Sequence, residues 1–267
     1  MLEIGLALIA LTAFSFAAKD IFSKNLLKTE SNWAVNFYMG LTGFLLSLVW
    51  VLLSGIPKIS LLDIFYAAIV GAGVSFGQYF FFKALKEGKA SVVGPISCTW
   101  AVLVVIFAVL FFGQPLSIAT AAGAALAFGG IFITAISQHP KVTANLIIAI
   151  LIWSTWVFAA PLISNVGSPA ALCLIMLFIT LASIRGIHAK KPHTLLLPGI
   201  FNFIAFASES IAIPLVTIVV TSALMTPLYF LFINIGGYFL FRERLTKSEI
   251  TGLLLVCAGI VTATAFG

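Results

Sequence analysis

Residues 112–131 read FGQPLSIATAAGAALAFGGI, and residues 241–260 read FRERLTKSEITGLLLVCAGI. The second stretch follows the first by 129 positions, and six aligned pairs agree: Phe112/Phe241, Leu116/Leu245, Gly123/Gly252, Leu126/Leu255, Gly130/Gly259 and Ile131/Ile260. Composition this biased gives about two agreements by itself, so the match points to a chain built twice over. Charge adds a separate signal. The connector GQPLS is uncharged where its counterpart RERLT is basic, while KALKEGKAS (83–91) is basic where its counterpart near 214–220 is uncharged. Two copies whose connectors exchange charge lie in opposite orientations, and an odd number of helices per copy produces that inversion automatically.

The rest of the chain is apolar throughout. Of 267 residues, 62% are hydrophobic and 8% charged, with a mean hydropathy of +1.20. A soluble domain carries about 25% charged residues, and one core of this length cannot hide so much apolar surface. A cytosolic enzyme, a nucleic-acid-binding domain and a disulfide-stapled secreted module are excluded. A helical span takes about 20 residues and a bundle connector about 2–8, so the length suits ten spans. Breaks at Pro, Gly and charge put helices at 3–23, 32–54, 61–83, 90–112, 116–136, 142–163, 169–188, 194–215, 219–241 and 247–266. The expected fold is an all-α polytopic membrane protein of ten transmembrane helices. They form two inverted five-helix repeats, 1–138 and 139–267, in one integral membrane unit. Residues 4–18 have the length of a signal peptide, but Glu3 precedes them and Lys19, Lys24 and Lys28 follow, the reverse of a cleaved signal. The segment is expected to remain as the first span.

Cations set the orientation. Odd connectors hold Lys19, Lys24, Lys28, Lys83, Lys86, Lys89, Lys141, Arg185, Lys190, Lys191, Arg242, Arg244 and Lys247, and even connectors hold only Lys58. Positive loops stay cytoplasmic, so both termini are expected outside a cytoplasmic (inner) membrane. The net charge of +6 then reads as topology facing anionic lipid, not as affinity for nucleic acid. Cys98, Cys173 and Cys257 each sit in an apolar run and read as small hydrophobes.

The pattern resembles the EamA family of the drug/metabolite transporter superfamily. In the second half, Pro227 precedes an aromatic-aliphatic run to Phe241, then Arg242-Glu243-Arg244-Leu245-Thr246, then Gly252 and Gly259. The first half keeps Gly113, Leu116, Ser117, Gly123 and Gly130. It has Gln114 where that family usually has Glu, and Cys98 where proline is common. The resemblance implies a central cavity built from helices 1–4 and 6–9, with helices 5 and 10 peripheral. It also implies transport of small organic solutes, commonly outward; such families move amino acids, sugars, nucleotides, amines and toxic compounds.

Glu209 is the most informative residue, the only acidic or basic side chain between His193 and Arg242. Counted from Thr194, it lies about 23 Å into the eighth helix at 1.5 Å per residue. A carboxylate there costs about 2.5–3.5 kcal/mol or more to insert, so it faces a cavity or a partner rather than lipid. Two readings stand: a structural carboxyl held by hydrogen bonds, or a site that exchanges a proton or pairs with a cationic cargo. Asn202, seven residues earlier, shares its face. Gln78 in the third helix is nearly equivalent to Glu209 under the repeat, and Ser75 lies one turn before it. For these amides, and for Asn234, an interhelical hydrogen bond is the alternative to a cavity role. Trp100, Trp153, Trp156, Tyr229 and Tyr238 either line a pocket and hold an organic cation by their ring faces or pack between helices. Trp33 and Trp50 read as interfacial belt residues. Lys19 and Asp20, adjacent and so not facing each other on a helix, read as anchors at the cytoplasmic end. Arg242, Glu243, Arg244, Lys247 and Glu249 read as a solvated cluster, and Ala121, Ala125 and Gly129 as a ridge for close helix approach.

The chain has no HExxH, GxSxG or GxxxxGK[ST] motif, and no metal or cofactor is expected. The expected function is a secondary transporter that moves a small amino-acid-, amine- or cation-like metabolite by alternating access, with protons as the candidate coupling ion. Its expected partners are the small-molecule substrate and membrane lipids, with no nucleic acid, as a monomer or homodimer. Export of toxic compounds or sugar- or nucleotide-type solutes is the alternative. An intramembrane enzyme is the rival from another class and would need a second acid, a serine dyad or a metal near Glu209.

Overall fold

The computed structural model describes residues 2–112, 118–135 and 140–265. Gly113, Gln114, Leu116 and Ser117 of the first-half motif lie outside the described residues, as do His139 and the side chain of Pro227. The described chain is helical, without strands: α1 (Leu2–Leu26), α2 (Asn32–Ser54), α3 (Leu61–Glu87), α4 (Ala90–Ser97), α5 (Trp100–Phe112), α6 (Ile118–Ala135), α7 (Pro140–Trp153), α8 (Ala159–Ala182), α9 (Leu196–Phe241) and α10 (Lys247–Ala265). Short 3₁₀ turns occupy Ser154–Phe158, Ile184–Gly186 and Pro192–Leu195.

Side chains start helices by satisfying their first free N–H groups. Ser31 Oγ accepts from Ala34 N at 3.0 Å to open α2. Ser60 and Asp63 close a capping box on α3, and Thr246 and Glu249 close another on α10, with Thr246 N donating to Glu249 Oε2 (2.8 Å) and Glu249 N to Thr246 Oγ1 (3.3 Å). Gly55, at φ 93°, stops α2.

The described helices differ from the ten expected ones in three ways. The fourth splits into α4 and α5 just past Pro95, which lacks an N–H and crowds the preceding turn. The sixth runs from α7 through the 3₁₀ turn 154–158 into α8. That helix breaks at Gly167 (φ 77°, ψ 160°), a backbone shape that glycine adopts at no steric cost, so 168–182 form a separate arm. The eighth and ninth are joined as the 46 residues of α9, about 69 Å at 1.5 Å per residue. The neighbours of α9 resolve it into two arms. Phe22 stacks on Phe201, Thr12 bonds Ser208 and Gly5 abuts Val216, so this arm runs antiparallel to α1. Asp20 meets Tyr229, Ile21 meets Gly236 and Lys24 meets Glu243, so the later arm runs parallel to it. The chain therefore reverses between Val216 and Tyr229, and α1 lies against both arms. In the same way α3 runs antiparallel to the α7 arm through Phe81–Trp153, Tyr66–Phe158 and Asp63–Asn165.

Helices α6 and α10 cross closely through glycine. A Cβ at Gly130 would lie 2.5 Å from Gly252 O, and one at Gly259 would lie 2.5 Å from Gly123 O. The seam is thus Gly123, Ala127, Gly130 and Thr134, not the expected ridge. Ala121, Ala125 and Gly129 are exposed on the other side of α6, because positions two residues away are turned about 200° on a helix. Under the 129-residue shift the two contacts are reciprocal: Gly123 meets the counterpart of Gly130, and Gly130 meets the counterpart of Gly123.

The exterior is oily, with Leu53, Leu61, Ile118 and Phe239 among many exposed apolar side chains. Five helical stretches of the described residues are long and apolar enough to cross a bilayer. A helical chain satisfies its own backbone polar groups, as lipid requires. This is a multi-pass membrane protein.

Candidate functional site

Six arms converge on one partly open cavity of about 70 Å³, room for a few waters or a small polar group. It is lined by Phe16, Lys19 and Asp20 of α1; Val74 and Gln78 of α3; Ser97, Cys98 and Trp100 where α4 meets α5; Trp153 and Trp156; and Phe206, Glu209, Met225 and Tyr229 from the two arms of α9. No residue of α2 lines it.

Glu209 is 1% exposed and interacts with the Trp156 side chain, although neither its Oε1 nor Trp156 Nε1 makes a well-formed hydrogen bond, and Gln78 Nε2 on the same cavity has no partner. A buried polar atom without a full partner costs about 1–3 kcal/mol, so this small cavity favours a polar occupant. The 3₁₀ turn explains the paired tryptophans. Residues three apart eclipse one another in 3₁₀ geometry, which turns Trp156 to the same side as Trp153. Trp153 is held rigidly: its Nε1 donates to Val74 O at 3.3 Å, its ring packs against Phe81 at 5.2 Å, and it lies flat on Gly77, where a Cβ would collide with the indole. Trp156 leans on Phe206 at 5.0 Å.

The structure thus brings together Glu209, Gln78, Trp100, Trp153 and Trp156. It sets four other candidates elsewhere. Asn202 lies two turns from Glu209, about 10 Å along the helix, where its Nδ2 reaches Met176 Sδ (3.9 Å). Ser75 sits on the flank of α3 facing α2, and both its Oγ and its carbonyl accept from Asn36 Nδ2 at 2.9 Å. Asn234 donates to Phe230 O of its own helix (2.8 Å). Tyr238 is 56% exposed, because nine residues from Tyr229 amount to half a turn, which points it outward.

Lys19 and Asp20 are the main correction. They are 4% exposed each, and α1 continues seven residues past Lys19, so neither is an anchor at a helix end. Adjacent residues do not face each other along an ideal helix, yet the long lysine stem curls back, bringing Nζ 2.8 Å from Asp20 Oδ1. Nζ also stands 5.2 Å from the Phe16 ring and 5.8 Å from that of Phe81. Tyr229 Oη donates to Asp20 Oδ2 at 2.7 Å. The pair borders the cavity, and counter-charge, ring faces and a hydroxyl offset part of the desolvation of its two charges. Its signal in the sequence was two opposite charges side by side in an apolar run, a pattern equally expected where a helix leaves the membrane.

The cavity and its polar lining bear on what is known of similar proteins. The EamA-like transporter family model matches residues 3–136, and the chain belongs to that family, part of the drug/metabolite transporter superfamily. An uncharacterized transporter of Archaeoglobus fulgidus is 26% identical over 98% of this chain and 97% of its own. A solved structure described only as the crystal structure of a protein shares the fold, with a TM-score of 0.66 at 17% identity over 98% of this chain and 97% of the other. The protein is a membrane transporter.

Proposed function

We propose that the protein is a secondary transporter of the cytoplasmic membrane that carries a small amino-acid-, amine- or cation-like metabolite by alternating access, with Glu209 taking up and releasing a proton or pairing with the cargo's ammonium. One observation carries this: a buried carboxyl set against the Trp156 indole lines a cavity rimmed by indoles, beside the unpartnered Nε2 of Gln78. Ring faces attract cations, a carboxylate pairs with an ammonium, and Gln78 and Trp156 supply hydrogen bonds to a polar group. The halves 1–138 and 139–267 are read as inverted repeats. The reciprocal Gly123–Gly259 and Gly130–Gly252 contacts support this, since a two-fold relation between the halves generates one contact from the other. Cations on the loops 27–31, 88–89 and 242–246 support a cytoplasmic position for that end, with both termini outside.

A thermal-shift screen of the purified protein against amino acids, amines and sugars identifies a cargo, because a ligand of the folded state raises its apparent stability. Cargo-driven proton movement is then measured in proteoliposomes. Glu209→Gln is expected to abolish proton movement or cargo binding, and unchanged coupling in that variant overturns the reading.

A further inference from the structure

Segment 242–249 is not a solvated cluster: Glu249 is buried, Glu243 is half-buried, and both carboxylates are committed. Glu243 Oε1 accepts from Lys24 Nζ (2.7 Å) and from Ala90 N (2.9 Å). Glu243 Oε2 accepts from Ser91 N (2.9 Å) and Ser91 Oγ (2.7 Å). Lys24 Nζ also donates to Gly88 O at 2.6 Å. Lys89 Nζ, next door, donates to Glu249 Oε2 (2.9 Å) and Arg244 O (3.1 Å). The N-terminal N–H groups of α4 have no cap from their own segment; the carboxylate that satisfies them arrives from a residue 152 positions away.

Three arms meet at this carboxylate: α1 through Lys24, α4 through Ala90 and Ser91, and the later arm of α9 through Glu243 itself. The same three supply Lys19, Asp20, Ser97, Cys98, Met225 and Tyr229 to the cavity wall. Helix α4 is a rod of eight residues, about 12 Å long, with the carboxylate at one end and Ser97 and Cys98 at the cavity. Midway, a Cβ on Gly94 would touch Tyr229 Oη at 2.5 Å, and that hydroxyl holds Asp20.

We propose that Glu243 and Lys24, by gripping the start of α4, latch one mouth of the transport path, and that cargo crosses at that end only when the latch releases. The inference rests on the alternating-access reading. Tyr229 joins the two ends: a cargo that draws on Asp20 or Tyr229 disturbs the side chain against which α4 rests.

Cys98 is a built-in reporter. In a C173S/C257A background it is the sole thiol, and its labelling by a membrane-impermeant charged maleimide is read by peptide mass spectrometry in sided membrane vesicles. Glu243→Gln, and separately Lys24→Met, is expected to speed labelling from the face bearing loop 242–246 by on the order of tenfold, the effect of losing one charge-assisted hydrogen bond. Conversely, the Cβ positions of Ser91 and Gly237 are 3.4 Å apart, close to the ~3.5–4.5 Å of a disulfide. Crosslinked S91C/G237C is expected to stop labelling from that face until it is reduced. Wild-type Cys98 labelled from both faces, with no response to Glu243→Gln or to the crosslink, overturns the latch. Should Glu243→Gln lose its fold, labelling that persists through the crosslinked form overturns it equally. Labelling from one face only, whatever the variant, overturns alternating access instead.

Discussion

Gly129 and Gly130 are neighbours on α6 with opposite surroundings, and alanine distinguishes them. At 130 the new Cβ would lie 2.5 Å from Gly252 O and 2.7 Å from Val256 N, while at 129 it would meet nothing within 4 Å. The atoms it meets at 130 are backbone and cannot swing aside. Ordinary contact begins near 3.4 Å, so α6 and α10 must separate by about 1 Å in an interior otherwise packed like a crystal. Overpacking of this kind costs about 1–3 kcal/mol. Both alanines gain about 0.5–1 kcal/mol of helix preference over glycine, so that part cancels between them. The difference between variants is therefore about 2 kcal/mol, which for a chain of this size separates their melting temperatures by roughly 4–8 °C. Differential scanning fluorimetry of detergent-purified protein measures it. Gly129→Ala is expected to melt at or above the wild type and Gly130→Ala below it. Gly252→Ala, whose Cβ would meet Gly130 O at 2.8 Å, is expected to repeat the loss. Equal melting of Gly129→Ala and Gly130→Ala would refute the close crossing and remove the reciprocal contact that supports the inverted repeat.

Lys19→Met alone or Asp20→Asn alone strands a buried charge and is expected to cost about 3–5 kcal/mol. The double variant should cost clearly less than the sum of the two, and additive shifts in melting temperature would refute the pairing. Glu243 gives the latch a pH dependence. Burial pushes its carboxyl up, but hydrogen bonds from Lys24, Ser91 and Ala90 outweigh this and hold it below the ordinary carboxylate range. A depressed folded value means that the stabilisation is complete above the ordinary carboxylate value and is lost as pH falls through the depressed one. The charged groups around it are Lys24 on α1 and Lys89 before α4, with Arg242 and Arg244 flanking it in sequence and Glu249 of α10, itself paired with Lys89. Cys98 labelling from that face is thus expected to stay flat from neutral pH through the ordinary carboxylate range and to rise only below it. With Glu243→Gln the rise should be absent, and a rise that persists would assign it to another group.

Helix positions were legible because polar capping residues and glycines interrupt apolar runs at the spacing a bilayer demands. Ser31, Ser60 and Thr246 all start helices where the sequence put them, to within a residue or two. The expected breaks at 164–168 and 216–218 coincide with the reversals at Gly167 and after Val216, whereas the 3₁₀ turn at 154–158 leaves no trace in hydropathy. Glu209 and Gln78 announced themselves by being costly in an oily segment, and the cavity receives both. Asn202 and Tyr238 lie away from the cavity, because sharing a helical face, or being aromatic, does not fix depth or which neighbour arrives opposite. The tie of Asp20 to Tyr229 and the grip of Glu243 on α4 are contacts more than 150 residues apart, and no local pattern encodes those.

That Lys19 and Asp20 are neighbours also matters for how the protein is made. Tyr229 follows Asp20 by 209 residues, so at about 5–20 residues per second the ribosome needs roughly 10–40 s to supply it. Throughout that interval Asp20 is without the Tyr229 hydroxyl that binds it in the finished fold. A counter-ion one residue away is present from the moment of insertion, so the nascent helix need never hold an unmatched charge while its companions are still being translated.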